Sequence, residues 1–191
     1  NGYNHMLQLW MPVLPSAMPL TAIEGYRDFE MKDRLKNPND GQWTLSVIVG
    51  KGDDPENQNQ MPISVDFAGN GHHAVCGTVS TGKSTFLQTV IYSLINKYTA
   101  EEVNIYILDF SSKLLTVFED SRQVGGIMTD AEEDLEKISK FFTMITTMIS
   151  ERKKLLASSN YRDYVEHSRK KLPALIIAID NYAGFKEKTD E

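Results

Sequence analysis

The residues of this chain most suited to chemistry lie in the stretch GTVSTGKST, residues 77 to 85. Gly77 and Gly82 enclose four residues, and Lys83 and Ser84 follow at once. This spacing is typical of a phosphate-binding loop, whose backbone N–H groups curl around a nucleoside triphosphate at the start of a helix. In such a loop the lysine reaches the β- and γ-phosphates, and the serine hydroxyl ligates Mg²⁺.

We expect the whole loop to bind a nucleoside triphosphate, because its backbone dipoles surround the phosphates and its glycines allow the tight curl. The motif also requires a strand before the loop and a helix after it. The apolar stretch HHAVC, 72–76, and the helix-periodic stretch 83–98 meet these two requirements. The predicted nucleotide-binding residues are Gly77, Thr78, Val79, Ser80, Thr81, Gly82, Lys83, Ser84 and Thr85.

A carboxylate at the end of a second buried strand is the other ligand that the magnesium ion needs. Asp180 follows the apolar run LPALIIAI, and Asp109 ends the run VNIYIL. We favour Asp180, because consecutive β-branched and apolar residues lead directly into it. Asp109 remains the alternative, and either acid could instead cap a helix or form a salt bridge. The predicted metal ligands are therefore Ser84 and Asp180.

Hydrophobic periodicity predicts the elements that hold these residues in place. Two alternating stretches, 42–50 and 62–67, predict a pair of strands that flanks the main sheet. Strands and helices then alternate along the chain, in the order strand 72–76, helix 83–98, strand 103–110, helix 129–156 and strand 172–180. This order predicts an α/β fold with an open, mostly parallel sheet and helices on both faces.

The long helix at 129–156 is predicted in more detail. Asp130 and Glu133 resemble a capping box at its start. Its apolar residues recur at helical spacing and predict one buried face, formed by Leu135, Ile138, Phe142, Ile145, Ile149 and Leu156.

Proline usage divides the chain into two parts. Pro12, Pro15, Pro19 and Pro38 fall within residues 1–40, where they disfavour helix. We expect 1–40 to be an extended arm that lays its apolar side chains on a neighbouring surface, namely Leu9, Trp10, Val13 and Leu14. Residues 41–191 are expected to form the phosphate-loop domain. Since the sequence starts at Asn1 and stops soon after a strong strand, we expect it to be a piece of a longer protein, with this domain incomplete at its C-terminal end.

Composition limits the classes of function. The chain has 191 residues, 41% hydrophobic and 24% charged, as an ordinary globular domain does. Its net charge of -6 disfavours sequence-independent binding to nucleic acid. Cys76 is the single cysteine, which excludes an internal disulfide. No apolar run approaches the ~18 residues of a membrane span.

With these residues in hand, the chain resembles the FtsK/SpoIIIE-like motor ATPases. More narrowly, it is similar to the tandem ATPase modules of the type VII secretion ATPases, the EssC/EccC family. The resemblance covers nearly the whole chain. It depends on four stretches, which are VGKGDDPENQNQMPISVDF, GHHAVCGTVSTGKSTFLQTVIYSL, VNIYILDFSSKLL and LPALIIAIDNYAGF.

The resemblance implies a RecA-like core and binding of ATP with Mg²⁺. It also implies a cytosolic series of such modules, held at the cytoplasmic face of the cell membrane by a separate segment. The implied partners are neighbouring ATPase modules of the same chain, in an assembly that could be hexameric, and small exported helical-hairpin proteins of the WXG type. DNA is not an expected partner.

Three positions depart from the pattern of the family. Active members carry Asp-Glu at the end of the second buried strand, and the glutamate polarises the attacking water. Here the pair is Asp180-Asn181, and an amide cannot accept a proton. We therefore expect Asn181 to occupy the catalytic position and hydrolysis to be weak or absent. Val79 and Ser80 stand where many relatives have small, glycine-rich residues.

Three functions remain open on the sequence alone. The leading one is a nucleotide-binding, poorly hydrolysing module of a secretion motor, in which bound ATP regulates contacts with modules and substrates. The alternative is an active DNA translocase of the FtsK/SpoIIIE type, which Asn181 and the acidic charge oppose. The third is a scaffold that binds protein and never nucleotide, which the intact loop opposes.

Overall fold

The computed structural model describes residues 11–26, 43–168 and 172–189. An antiparallel hairpin comes first, formed by strand β1 (Ser46–Asp54) and strand β2 (Asn59–Asp66). Alternating apolar and polar residues favour these strands, and the predicted pair of flanking strands is confirmed. In chain order there follow α1 (Phe67–Asn70), α2 (Lys83–Lys97), β3 (Val103–Asp109), β4 (Val124–Thr129), α3 (Glu132–Leu156), α4 (Tyr161–His167), β5 (Ala174–Asp180) and α5 (Tyr182–Thr189).

The main sheet is parallel, and its described strands lie in the order β4-β3-β5. Strand β3 is central and pairs with β5 in a continuous register, from Val103 opposite Ala174 to Asp109 opposite Asp180. The two aspartates predicted as rival metal ligands therefore lie side by side at the carboxyl edge of the sheet. Strand β4 was not predicted, because Gly125 and Gly126 dilute its apolar pattern.

Helices cover both faces of the sheet, as predicted, because alternate residues of β3 point to opposite sides. Val103, Ile105 and Ile107 belong to a core shared with Ile91 and Leu94 of α2. The other face packs against α3 through a second core, whose buried members are Leu108, Phe110, Met128, Ile138, Phe141 and Ile145. The fold is therefore a three-layer α/β domain with the phosphate loop at the start of α2.

The prediction of a strand at 72–76 is wrong. Residues 71–78 have no regular secondary structure, and all of them are exposed, with Val75 at 48%. A strand needs a neighbouring edge that pairs with its N–H and C=O groups. Within the described ranges no strand pairs with this segment.

Helix α3 is confirmed, but its start and part of its buried face differ from the prediction. Its N-cap is Ala131, which makes no side-chain capping bond, so the predicted capping box does not form. Ile138 and Ile145 are buried as predicted, whereas Phe142 and Ile149 are 37% and 45% exposed. Phe141 is buried in their place, since the face that meets the sheet is rotated toward it.

The described part of the N-terminal arm has no regular structure from residue 11 to 19, and a 3-10 helix follows at Leu20–Ala22. Ile23 is buried, Leu14 lines a small cavity against β1, and Val13 is 92% exposed. Leu9 and Trp10, which were expected to contact a neighbouring surface, lie outside the described residues.

Candidate nucleotide-binding site

Two side chains of the phosphate loop donate hydrogen bonds to the same backbone carbonyl oxygen. The ammonium Nζ of Lys83 donates to the carbonyl of Thr78 at 2.7 Å, and the hydroxyl of Thr81 donates to the same oxygen at 2.9 Å. The lysine therefore reaches back across the loop instead of extending into solvent. A cation turned into the loop in this way can meet the anionic oxygens of a phosphate.

Glycine is required at both ends of the loop, for different reasons. A Cβ on Gly77 would lie 2.7 Å from the hydroxyl oxygen of Thr81, so a larger residue would displace this hydroxyl from the Thr78 carbonyl. Gly82 has φ +88°, in the left-handed region that favours glycine. Ser80 also has positive φ, at 62°, so the middle of the loop is as tightly curled as its end.

Helix α2 begins directly at the loop. Gly82 is its N-cap, and the N–H of Phe86 donates to the Gly82 carbonyl at 2.8 Å. The N–H groups of the first helical turn precede this bond, and they carry the positive end of the helix dipole. Residues 77–82 and Thr85 are exposed, with Val79 at 90%, whereas Ser84 is half-buried.

Asp180 carries an oxygen without a partner. The residue is only 7% exposed, and its Oδ2 accepts no hydrogen bond from any described residue. Buried carboxylate oxygens are normally paired or bound to a cation, and Mg²⁺ prefers carboxylate and hydroxyl oxygens. Helix α2, which carries Ser84, contacts β5, which carries Asp180. The unpartnered oxygen of Asp180 is therefore suited to a cation, and a magnesium ion shared with Ser84 stays a prediction.

Asp109 serves a different purpose. It is fully buried, and its carboxylate accepts backbone N–H groups from Ser111, Lys113 and Leu115 at 3.1, 3.2 and 3.1 Å. These bonds fold the segment after β3 around the carboxylate and leave it little capacity for a metal. Of the roles left open by the sequence for this acid, which were metal ligand, helix cap and salt bridge, the binding of backbone N–H groups is most like that of a cap.

Asn181 comes directly after Asp180 and has φ +65°. Its amide Nδ2 donates to the carbonyl of Phe110 at 3.0 Å, and its Oδ1 accepts the N–H of Gly184 at 3.2 Å. Both ends of the amide are thus bound to backbone groups. The predicted role of Asn181 at the catalytic position stays a prediction. Sequence reasoning missed Gly184, although a glycine three residues after the asparagine was a usable signal.

A groove of about 660 Å³ lies between α3 and α5. Its apolar wall comes from α3, and the ring of Phe142 lies 5.9 Å from the ring of Phe185 on α5. Lys188 and Thr189 line the end of the groove. Its remaining lining residues are Leu135, Ile138, Ser139, Thr143, Thr146 and Thr147.

Metal clusters and membrane-spanning helices are both absent from the described residues. These residues contain no group of three or more histidine, cysteine or acidic side chains suited to a metal. Among the helices of the same ranges, none is long and apolar enough to cross a membrane.

The parallel sheet, the loop and the helix that starts in the loop define a phosphate-loop nucleotide-binding domain of the α/β class. Residues 36–185 match the model of the FtsK/SpoIIIE family. The chain belongs to the FtsK/SpoIIIE family, and the resemblance noted from the sequence is confirmed.

Its curated relatives are type VII secretion proteins. The protein EssC of Staphylococcus aureus (strain MRSA252) is 29% identical over 181 residues, which is 93% of this chain and 12% of EssC. The ESX-1 secretion system protein EccCb1 of Mycolicibacterium smegmatis is 32% identical over 134 residues, 70% of this chain and 21% of that protein. This chain therefore spans only about an eighth of the length of EssC.

Solved structures give the same result for the fold. The cytoplasmic domain of the Thermomonospora curvata type VII secretion ATPase EccC superimposes with a TM-score of 0.72 at 24% identity, covering 95% of this chain and 22% of that one. ATPases 2 and 3 of Geobacillus thermodenitrificans EssC give 0.65 at 27% identity, covering 75% and 28%. ATPases 2 and 3 of T. curvata EccC in complex with a signal sequence peptide give 0.68 at 24%, covering 81% and 29%.

Proposed function

We propose that this chain is an ATP-binding module of a type VII protein secretion motor, and that it hydrolyses ATP weakly or not at all. One observation carries the proposal: Lys83 and Thr81 converge on the carbonyl of Thr78 inside a loop that opens onto the start of a helix. Membership of the FtsK/SpoIIIE family and similarity to the ATPase domains of EssC and EccC support it.

ATP is held by residues 77–85. Backbone N–H groups of the loop surround the phosphates, and Lys83 contacts the β- and γ-phosphates. Ser84 and Asp180 hold Mg²⁺, for which the unpaired Oδ2 of Asp180 is the supporting observation. When bound, Mg²⁺ supplies positive charge to the phosphate oxygens.

Weak hydrolysis is expected from the residue after Asp180. Asn181 cannot accept a proton, and a missing general base commonly lowers a rate by about 10²- to 10⁴-fold. Its amide also donates to Phe110 and accepts from Gly184, which leaves it poorly placed to orient a water molecule. Bound ATP therefore persists on this module.

A persistent ligand suits regulation better than force generation. A ligand present at ~100 times its Kd stabilises the folded state by about 2.7 kcal/mol. We propose that bound ATP regulates contacts with neighbouring ATPase modules of the same chain, within a hexameric assembly at the cytoplasmic face of the cell membrane. The net charge of -6 speaks against the alternative of a DNA translocase.

The groove between α3 and α5 is the proposed contact for exported protein. It is about 660 Å³ in volume and has an apolar wall, as the docking site of an amphipathic helix does. One similar solved ATPase pair holds a signal sequence peptide. We propose that a helical segment of a small WXG-type protein occupies this groove.

A fluorescent type VII signal-sequence peptide tests the groove by anisotropy. Phe142→Asp should weaken binding about tenfold or more, because a carboxylate in an apolar contact is costly. Leu155→Asp is the matched control, since Leu155 is on the same helix, is 47% exposed and lies outside the groove. Equal losses in the two variants would remove the groove from the proposal.

Calorimetry with ATP tests the main proposal. The native chain should bind ATP more tightly with Mg²⁺ than with EDTA, and Lys83→Ala should lose most of the affinity in both buffers. Lys153→Ala, an exposed lysine on α3, should bind as the native chain does. Absence of ATP binding would overturn the proposal in favour of a scaffold. Steady-state hydrolysis at about 1 s⁻¹ or faster, as in ordinary enzymes, would overturn the weak-hydrolysis part.

A further inference from the structure

Asn181 occupies a conformation that few side chains accept. Its φ of +65° is left-handed, and asparagine is one of the non-glycine residues that adopt this region most readily. In this conformation its amide lies between two backbone groups. One is the carbonyl of Phe110, after β3, and the other is the N–H of Gly184, in the first turn of α5.

Gly184 provides the space for this amide. A Cβ on Gly184 would lie 2.6 Å from Nδ2 of Asn181 and 3.5 Å from the carbonyl oxygen of Phe110. Any side chain at this position would therefore push the amide away from its acceptor. The Asn181 amide therefore depends on a glycine at position 184, and the two residues form one specific contact.

The contact ties together the ends of the two strands that carry the paired aspartates. The N–H of Phe110 donates to the Asp180 carbonyl at 3.0 Å, and the amide of Asn181 returns to the Phe110 carbonyl at 3.0 Å. The ring of Phe110 lies 5.5 Å from the ring of Phe185, edge to face. The backbone of Asp180 is thereby fixed from β3 and from α5.

We infer that Asn181 and Gly184 form a clamp that positions Asp180, so that its unpaired Oδ2 is held ready for the Mg²⁺ that accompanies ATP. Asn181 is on this account a positioning residue and not a remnant of a lost general base. The inference rests on the proposed nucleotide site, because it assigns the regulation of metal affinity at that same site.

A glutamate at position 181 cannot replace the clamp. Its carboxylate has no N–H to donate to Phe110, and a longer side chain is less favourable at positive φ. Asn181→Glu is therefore expected to weaken Mg²⁺-dependent binding and to leave ATP hydrolysis no faster than in the native chain.

The test measures the Kd of ATP in EDTA and in Mg²⁺ for two independent disruptions. Asn181→Gly keeps the left-handed backbone but removes the amide, and Gly184→Ala expels the amide. Gly126→Ala is the control, because a Cβ on Gly126 meets no atom within 4 Å. Circular dichroism establishes that each variant is folded, and Asn181→Gly alone decides the question if Gly184→Ala does not fold.

Both clamp variants should keep their Kd in EDTA within about twofold of the native value, and their Mg²⁺-dependent gain in affinity should fall at least tenfold. Retention of the full gain in Asn181→Gly would overturn the inference, as would faster hydrolysis by Asn181→Glu with the gain intact. Failure of the native chain itself to bind ATP is a different result, because it overturns the proposed function beneath the inference.

Discussion

Asp109 and Asp180 look alike in the sequence and differ in the fold. Each ends a buried apolar strand, and the two are paired in register at the same edge of the sheet. The carboxylate of Asp109 accepts three backbone N–H groups, whereas one oxygen of Asp180 accepts none from the described residues. An aspartate at the end of β3 thus binds the loop that follows it, whereas the aspartate at the end of β5 keeps an unpaired oxygen.

The difference arises in the segment that leaves each strand. After Asp109 the chain turns back through a left-handed Lys113, at φ +57°, and directs its N–H groups at the carboxylate. After Asp180 the chain enters α5 at once, and Asn181 caps that helix with its own side chain. A strand-end acid therefore keeps an unpaired oxygen where another residue caps the following helix.

Asp109→Asn should have the largest effect on stability. Both oxygens of the Asp109 carboxylate accept hydrogen bonds from backbone N–H groups. In the asparagine variant an NH₂ group replaces one of these oxygens. It would face an N–H group, so a repulsive contact replaces a hydrogen bond. We expect the free energy of unfolding to fall by about 3 kcal/mol, measured by urea unfolding. A loss below about 1 kcal/mol would contradict the structural role given to Asp109.

Asp180→Asn should separate stability from binding. Because one oxygen of the Asp180 carboxylate is buried without a hydrogen bond, its replacement by an amide should leave the free energy of unfolding unchanged or raise it by about 1 kcal/mol. The same substitution should abolish most of the Mg²⁺-dependent gain in ATP affinity, measured by calorimetry against EDTA. If its urea midpoint drops as far as that of Asp109→Asn, the two acids are equivalent and the comparison fails.

Asp134 offers a third buried carboxylate, one whose charge can be followed by pH. The Lys137 ammonium, 2.6 Å away, and the N–H and hydroxyl of Thr129 hold the pKa of Asp134 below its usual 3.8, although burial opposes them. Because the folded pKa is lowered, this stabilisation is present above pH 3.8 and is lost as the pH falls through the folded pKa.

Asp134→Asn should cost about 1–2 kcal/mol at pH 7 and flatten the decline in stability at acid pH. Glu136→Gln is the control, since its ion pair with Lys140 is exposed and worth about 0–1 kcal/mol. Urea unfolding between about pH 2 and pH 7 measures both variants. Parallel curves for native protein and Asp134→Asn would rule out the proposed contribution of the Lys137 and Thr129 contacts.

The sequence predicted those parts of the fold that local patterns determine. Helix α2, helix α3 and strands β3 and β5 have strong periodicity, and all four formed close to the expected bounds. The strand at 72–76 was predicted but is absent, because pairing depends on a neighbouring strand that local pattern cannot reveal. Strand β4 was not predicted, because its two glycines weaken the local strand pattern. It forms because its backbone pairs with β3.

For the candidate site, motif spacing predicted the phosphate loop but not the separate roles of Asp109 and Asp180. The spacing of Gly77, Gly82 and Lys83 predicted a loop that the structure forms, with the lysine turned inward. Whether Asp109 or Asp180 keeps a free oxygen depends on hydrogen bonds made by residues up to six positions later. Such bonds depend on the φ values of single loop residues, which periodicity does not encode.

The smallest expected effect concerns Lys113, whose left-handed backbone wraps the loop around Asp109. Its ammonium lies 3.8 Å from Asp130, but both side chains are more than half exposed, so the ion pair contributes little. Lys113→Gly removes the cost of a positive φ, about 1–2 kcal/mol, and adds backbone entropy to the unfolded chain, about 0.5–1 kcal/mol. We therefore expect a gain in unfolding free energy of between 0 and about 1.5 kcal/mol.

Lys113→Val is the matching variant, because a β-branched residue is a poor choice at positive φ. It should lose about 1–2 kcal/mol, and part of that loss should disappear when Asp109 has already been changed to asparagine. Urea unfolding of the two single variants and the double variant measures this coupling. Additive losses would mean that the conformation of Lys113 does not serve the carboxylate, and the contrast between the two aspartates would then need another cause.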